Sequence, residues 1–199
     1  MWNPIHQTMY GIYRKNRLAR IIPETSHVQP YSTPGFDPPR PILALTRHPN
    51  PNYAYVLTGG DVNGYGGVYE LNLITGKAED SVFEFYWYLS HVVDIAYHAE
   101  EHKLYAITDD RLSLYWWKSG DYWWSGAPKS VPISGLPPRT GLAGIDFSRN
   151  GLLIGVTNSS TNASLYQINR MGGSWQRQAS LHVRAQNSSP GRNTEMCTI

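Results

Sequence analysis

Three stretches, ILALTRHP (Ile42–Pro49), VVDIAYHA (Val92–Ala99) and LAGIDFSR (Leu142–Arg149), begin 50 residues apart and share one pattern. Each leads through a short polar turn into a second apolar run: YAYVLT ending at Thr58, LYAIT ending at Thr108, LIGVT ending at Thr157. A third run follows in each unit, GGVYELN (Gly66–Asn72), LSLYWWK (Leu112–Lys118) and ASLYQIN (Ala163–Asn169), with Tyr69, Tyr115 and Tyr166 in equivalent places. Leu71, Trp117 and Ile168 match one another in the same way. Fourth runs are VFEFYWY (Val82–Tyr88), the region near Ser130–Ile133, and QASLHV (Gln178–Val183).

A fourth unit is divided between the chain ends. MWNPIHQTMYGIY, from Met1, has the second half of the pattern: Pro4 matches Pro49, and Tyr10 matches Tyr55 and Tyr105. MCTI (Met196–Ile199) has the pattern of ILAL, so MCTI joined to MWNP reads as ILAL joined to TRHP. Short strands recurring with a 40–50-residue period are the mark of a β-propeller. No segment sustains a 3.6-residue apolar period with caps, which argues against a substantial helix. The sequence therefore predicts an all-β chain, one small β-propeller domain over 1–199, of about four blades of four antiparallel strands. Blade 1 takes 196–199 plus 1–30, blade 2 takes 41–88, blade 3 takes 91–134 and blade 4 takes 141–184. The C-terminal strand would complete the N-terminal blade and leave no open inner edge. A fragment of a larger propeller, cut in mid-blade, is the rival reading.

In the first strands, alternation predicts that Leu43 and Leu45, Val93 and Ile95, and Ala143 and Ile145 share a face. The second runs are nearly continuous in apolar residues, as for strands covered on both sides.

The net charge is +2, with Lys and Arg scattered apart from Arg14, Lys15, Arg17 and Arg20, which gives no reason to expect nucleic acid or a membrane surface as partner. One cysteine, Cys197, excludes an internal disulfide framework. No apolar run approaches 18 residues, and no basic-then-apolar leader opens the chain. A cytoplasmic location is favoured over secretion, although Asn158, Asn162 and Asn187 each begin an N-x-S/T triplet.

The repeats resemble kelch-type units. Pro39-Arg40 and Pro138-Arg139 precede first strands, Pro190-Gly191-Arg192 precedes the divided one, Gly59-Gly60 follows a second strand, and Trp124 and Trp175 each lie six residues past a third. The pattern departs where Asp109-Asp110 and Asn158-Ser159 replace Gly-Gly, and where Ala78 replaces the Trp. The resemblance implies a propeller used mostly to bind another protein, with copper oxidases a minority. Such an oxidase needs a cysteine joined to a tyrosine, and Cys197 falls in an inner strand near the chain end.

The links from second to third strands and between blades are long; the turns from first to second and third to fourth are short. Function collects on long loops held by a rigid scaffold. This predicts a partner-binding long-loop face carrying Asp61, Asn63, Tyr65, Asp109 and Asp110, with Asn158 and Asn162, flanked by Arg40, Arg139 and Arg192. Arginine there can fork onto a ligand carboxylate or bridge neighbouring blades. Trp116 and Trp123, with Tyr86 and Tyr88, are aromatic candidates for the same surface.

Two strings look like metal motifs. His98-Ala99-Glu100-Glu101-His102 fits H-x-x-E-H, but zinc chemistry needs it on a helix, and the repeat places it in a turn. DVNGYG, from Asp61, resembles a calcium loop, but its twelfth position is Asn72 and not a bidentate glutamate. No metal or cofactor site and no catalytic residue are predicted. The function expected is a non-catalytic module that binds a protein through its long-loop face. The alternative is a lectin with one aromatic glycan site per blade. A third reading, an enzyme using the central channel, has only Asp94 as an acid at its register, matched by Ala44, Gly144 and Thr198.

Overall fold

In the computed structural model, the residues described are 1–13, 17–25, 27–32, 35, 40–59, 66–85, 92–108, 113–118, 129–132, 134, 141–158, 163–170 and 175–181. They form four antiparallel sheets of four strands each, arranged in a ring as a four-bladed β-propeller. Blade 1 contains β1 (Trp2–Asn3), β2 (Thr8–Tyr13), β3 (Arg17–Ile22) and β4 (His27–Ser32). Blade 2 contains β5 (Ile42–Arg47), β6 (Tyr53–Thr58), β7 (Gly66–Asn72) and β8 (Lys77–Phe85). Blade 3 contains β9 (Val92–His98), β10 (Lys103–Thr108), β11 (Ser113–Lys118) and β12 (Lys129–Pro132). Blade 4 contains β13 (Gly141–Phe147), β14 (Leu153–Asn158), β15 (Ala163–Ile168) and β16 (Trp175–Leu181). Strands are hydrogen-bonded in chain order within each blade, with β1, β5, β9 and β13 innermost. The segment Met196–Ile199 lies outside the described residues.

A ring follows because the second strand of a middle blade is apolar on both sides. In β6, Ala54 and Val56 pack with Tyr10 and Leu18 of blade 1, while Tyr55 and Leu57 pack with Ile95, Tyr97 and Leu104 of blade 3. In β10, Leu104 and Ala106 face blade 2, and Tyr105 and Ile107 face Ile145, Phe147 and Leu153 of blade 4. Successive side chains of a strand point to opposite faces, so one apolar run serves two interfaces. Rings reinforce the packing: Tyr55 lies 5.8 Å from Tyr97, and Phe83 stacks on Trp117 at 5.1 Å.

The inner strands depart from simple alternation. Leu43, Val93 and Ala143 are each passed over in the pairing with the second strand, which places a β-bulge at one register in three blades. The extra residue reverses the facing beyond it. Thus Ile42 packs with blade 1 and Ala44 with blade 3 although they are two residues apart, while Leu43, expected on the same face as Leu45, is 45% exposed. Ala143 is likewise exposed beside buried Ile145.

Two polar devices recur. Thr58 and Thr157, at the ends of second strands, are buried; their hydroxyls accept from the backbone N–H of Gly67 and Ser164 and donate to the same residues' carbonyls. Between blades, Thr46 Oγ1 accepts from Tyr97 N at 3.1 Å, and Asp94 Oδ2 accepts from Ile145 N at 2.7 Å. Donor and acceptor are 51 residues apart in both cases, one more than the repeat. Gly144 makes the second contact possible, since a Cβ there would stand 2.8 Å from Asp94 Oδ2.

Blade 1 keeps the same register. Tyr10 N donates to Met1 O at 2.8 Å, and the Met1 ammonium donates to Tyr10 O at 2.9 Å. Met1 thus stands beside Tyr10 as Thr46 stands beside Tyr55.

Candidate functional site

The inner strands end together where the short turns begin, and this register delivers one side chain per blade to the mouth of the ring. Those residues are Trp2, Arg47, Tyr97 and Phe147. Two residues further on, the turns supply Pro4, Pro49, Ala99 and Arg149. Two hollows open among them.

The first has a volume of about 310 Å³ and is walled by Trp2 and Pro4 of blade 1, by Arg47, Pro49, Pro51 and Tyr53 of blade 2, and by Tyr97 and His102 of blade 3. Its surface is mainly apolar, and no carboxylate lines it. Trp2 is 43% exposed at its edge, and Ile5, in the same turn as Pro4, is 66% exposed. Hydrogen bonds fix the walls. Asn3 donates to Pro51 O, Asn3 Oδ1 accepts from the backbone N–H of Ile5 and His6, and His48 bonds Glu70 at 3.2 Å.

The second hollow, of about 400 Å³, lies on the axis and is lined from all four blades. Its polar residues are Asp94, Asp146, Arg47, Arg149 and Thr46, with Met1, which carries the chain-start ammonium, beside them; Leu45, Ile95, Ile145 and Phe147 supply apolar wall. Asp94 is committed at both oxygens, Oδ1 to Ile95 N at 2.9 Å and Oδ2 to Ile145 N. Burial pushes its carboxyl up to about 6, against the pull of those two N–H groups. Burial also lowers the Met1 ammonium, which the charges of Asp146 and Asp94 partly sustain.

The H-x-x-E-H string forms the turn between β9 and β10, as its place in the repeat predicts. His98 is buried against Phe147, with ring centroids 4.6 Å apart, and its Nδ1 accepts from Glu101 N. His102 takes a positive φ of 50° and bonds the Tyr97 hydroxyl. Glu101 reaches Lys103, the Tyr105 hydroxyl and, across to blade 4, Arg170. Burial raises the Glu101 carboxyl, but those donors outweigh it and the net shift is downward. Among the described residues no group of His, Cys, Asp and Glu is placed to hold a metal ion.

Of the residues expected on the long-loop face, Arg40, Trp116 and Asn158 are described, Asn158 as the last residue of β14. Arg40 is buried, donates to the Tyr69 hydroxyl of its own blade and lies 5.3 Å from that ring. Trp116 is half-buried, packs on the cluster between blades 3 and 4, and stacks on Tyr105. Asp61, Asn63, Tyr65, Asp109, Asp110, Arg139 and Trp123 lie outside the described residues, as do Cys197 and the first five residues of DVNGYG. The tyrosines that recur in the second strands, Tyr10, Tyr55 and Tyr105, are core residues and present no repeated surface site. Trp2, Arg47, Asp146 and Arg149 were not among the expected site residues. The signal for them was the register of the inner-strand ends, which converge on the axis.

No protein-family model matches the chain, and no curated protein matches it significantly. Solved structures do resemble it. One, from a nidogen/laminin complex, has a TM-score of 0.62 at 12% identity, over 87% of this chain and 61% of that one. An auxiliary nutrient binding protein of Bacteroides ovatus gives 0.58 at 14%, over 96% of this chain and 42% of that one. A Bacteroides thetaiotaomicron protein of unknown function gives 0.57 at 15%, over 85% and 40%. The chain spans less than two thirds of each. At these identities the likeness is one of fold alone: the chain is a β-propeller of four blades.

Proposed function

We propose that this propeller is a non-catalytic recognition module that binds a partner protein. The observation that carries this is the apolar hollow between blades 1, 2 and 3, with exposed Trp2 at its edge and prolines around it. Interface anchors are typically aromatic side chains set in such pockets, ringed by residues that exclude water. Arg47, at the boundary of both hollows, has no ion pair or hydrogen bond from its guanidinium among the described residues. The partner therefore presents an apolar side chain for the hollow with an acidic group beside it for Arg47. The resemblance to kelch-type repeats, in the Pro-Arg and Trp elements, supports the same role. The long-loop residues Asp61, Asn63, Tyr65, Asp109, Asp110, Arg139 and Trp123 are the competing contact surface.

Affinity capture with two sets of variants separates the faces. Trp2→Ala with Tyr53→Ala is expected to weaken partner binding by at least tenfold, and Asp61→Ala, Tyr65→Ala and Asp109→Ala by much less. The opposite ranking would move the contact to the long loops, and full retention by both sets would overturn the proposal.

A further inference from the structure

Charge in the axial hollow is sorted along its depth. Asp94 stands at the register of Ala44 and Asp146 at that of Thr46; Arg47 is one residue nearer the mouth, and Arg149 is in the turn beyond. The carboxylates therefore belong to the inner part of the channel and the guanidiniums to its rim. Asp146 Oδ1 accepts from Phe147 N at 2.7 Å, Oδ2 makes no hydrogen bond among the described residues, and the carboxylate acts on the Met1 ammonium through its charge. Arg149, like Arg47, has no ion pair there. The Met1 ammonium, bonded to Tyr10 O, offsets one of the two inner carboxylates, so the inner part keeps a surplus negative charge beneath a positive rim. Leu45, Ile95 and Ile145 form apolar wall between these poles.

We propose that the axial hollow binds a small zwitterion of the amino-acid class. The ammonium is directed inward to Asp146, the carboxylate outward to Arg47 and Arg149, and the apolar part rests on the three aliphatic walls. A simple anion would meet the inner carboxylates, and a simple cation would have to pass two guanidiniums. A neutral sugar would gain hydrogen bonds without ion pairing. Only a dipolar ligand satisfies both poles at once. The volume of about 400 Å³ is within the range of small-molecule sites. Asp94, held at both oxygens, supplies charge but no direct contact.

The test is calorimetric titration with leucine and glycine, beside N-acetylleucine, which lacks the cation, 3-methylbutylamine, which lacks the anion, and glucose. Leucine is expected to bind at least tenfold more tightly than any of the three controls. Asp146→Asn and Arg149→Gln, at exposed side chains that do not line the apolar hollow, are each expected to weaken leucine at least tenfold with an unchanged thermal midpoint. Absence of binding by both amino acids would overturn the proposal. Equal binding of N-acetylleucine, 3-methylbutylamine or glucose, or full affinity in both variants, would do the same.

Discussion

Asp94 ties blade 3 to blade 4 through one carboxylate, and Gly144 gives it the space. In Gly144→Ala the new methyl would sit 2.8 Å from Asp94 Oδ2, so the carboxylate must withdraw from Ile145 N. We expect a loss of about 1–3 kcal/mol in urea unfolding. The same change in an Asp94→Ala background should cost clearly less, because the clash is gone; equal losses would place the cause elsewhere. Asp94 also sets a pH dependence. Burial holds its carboxyl near 6, above the ordinary 3.8, so the folded chain keeps a proton that the unfolded chain has released. Its contribution to stability is therefore full below about pH 4 and is lost as the pH rises through 6. Replacing it by Asn should flatten that decline, and denaturation at pH 4.5 and 7 measures it. Glu101 has the opposite sign, with stability lost as the pH falls through its lowered value. The sequence marked Asp94 as the lone acid of its register but left Asp146 unremarked. The reason is that a channel is lined by two or three successive registers, and which of them turn inward depends on a bulge that no residue type announces.

At the scale of elements, second strands could be read directly, because an unbroken apolar run in a short strand implies cover on both faces. Inner strands could not. ILAL alternates cleanly on paper, yet the bulge at Leu43 sends Ile42 and Ala44 to opposite faces of the blade. The repeat itself showed that Thr58, Thr108 and Thr157 are equivalent, but not why. In the structure Thr58 and Thr157 tie the end of one strand to the start of the next, and Thr108 is buried at the same register. Thr→Val at 58 or 157 keeps the shape and removes the hydroxyl, leaving a buried N–H of Gly67 or Ser164 without that acceptor. A loss of about 1–2 kcal/mol per site is expected from chemical denaturation, with the fold retained. An unchanged midpoint would show that another group satisfies those donors. The long-loop candidates were chosen from loop length, which marks a place for function without specifying side-chain geometry; Arg40 illustrates the difference, since its guanidinium goes to Tyr69.

For the whole molecule, the 50-residue repeat revealed four blades, and the order of strands within each followed from chain order. The inner strand of blade 1 is present as Met1–Asn3, with Met1 bonded to Tyr10, while in blade 2 the pairing continues to Ile42 opposite Thr58. We propose that Met196–Ile199 supplies the missing half beside Gly11–Tyr13. Removal of 193–199 should then expose an inner edge and lower the thermal midpoint by several degrees, with association visible in light scattering. A monomeric truncation of unchanged midpoint would refute it. The hydrogen bonds between inner strands carry a consequence of another kind. One interface is joined by a threonine hydroxyl and the next by a carboxylate that requires a glycine opposite, so neighbouring blades recognise each other by different keys. A chain with blades 2 and 3 transposed would keep its composition and its repeat, yet set Asp94 against a partner with no glycine cut to receive it. The order of blades is thus written into the seams between them, each seam being fitted to its own pair of neighbours.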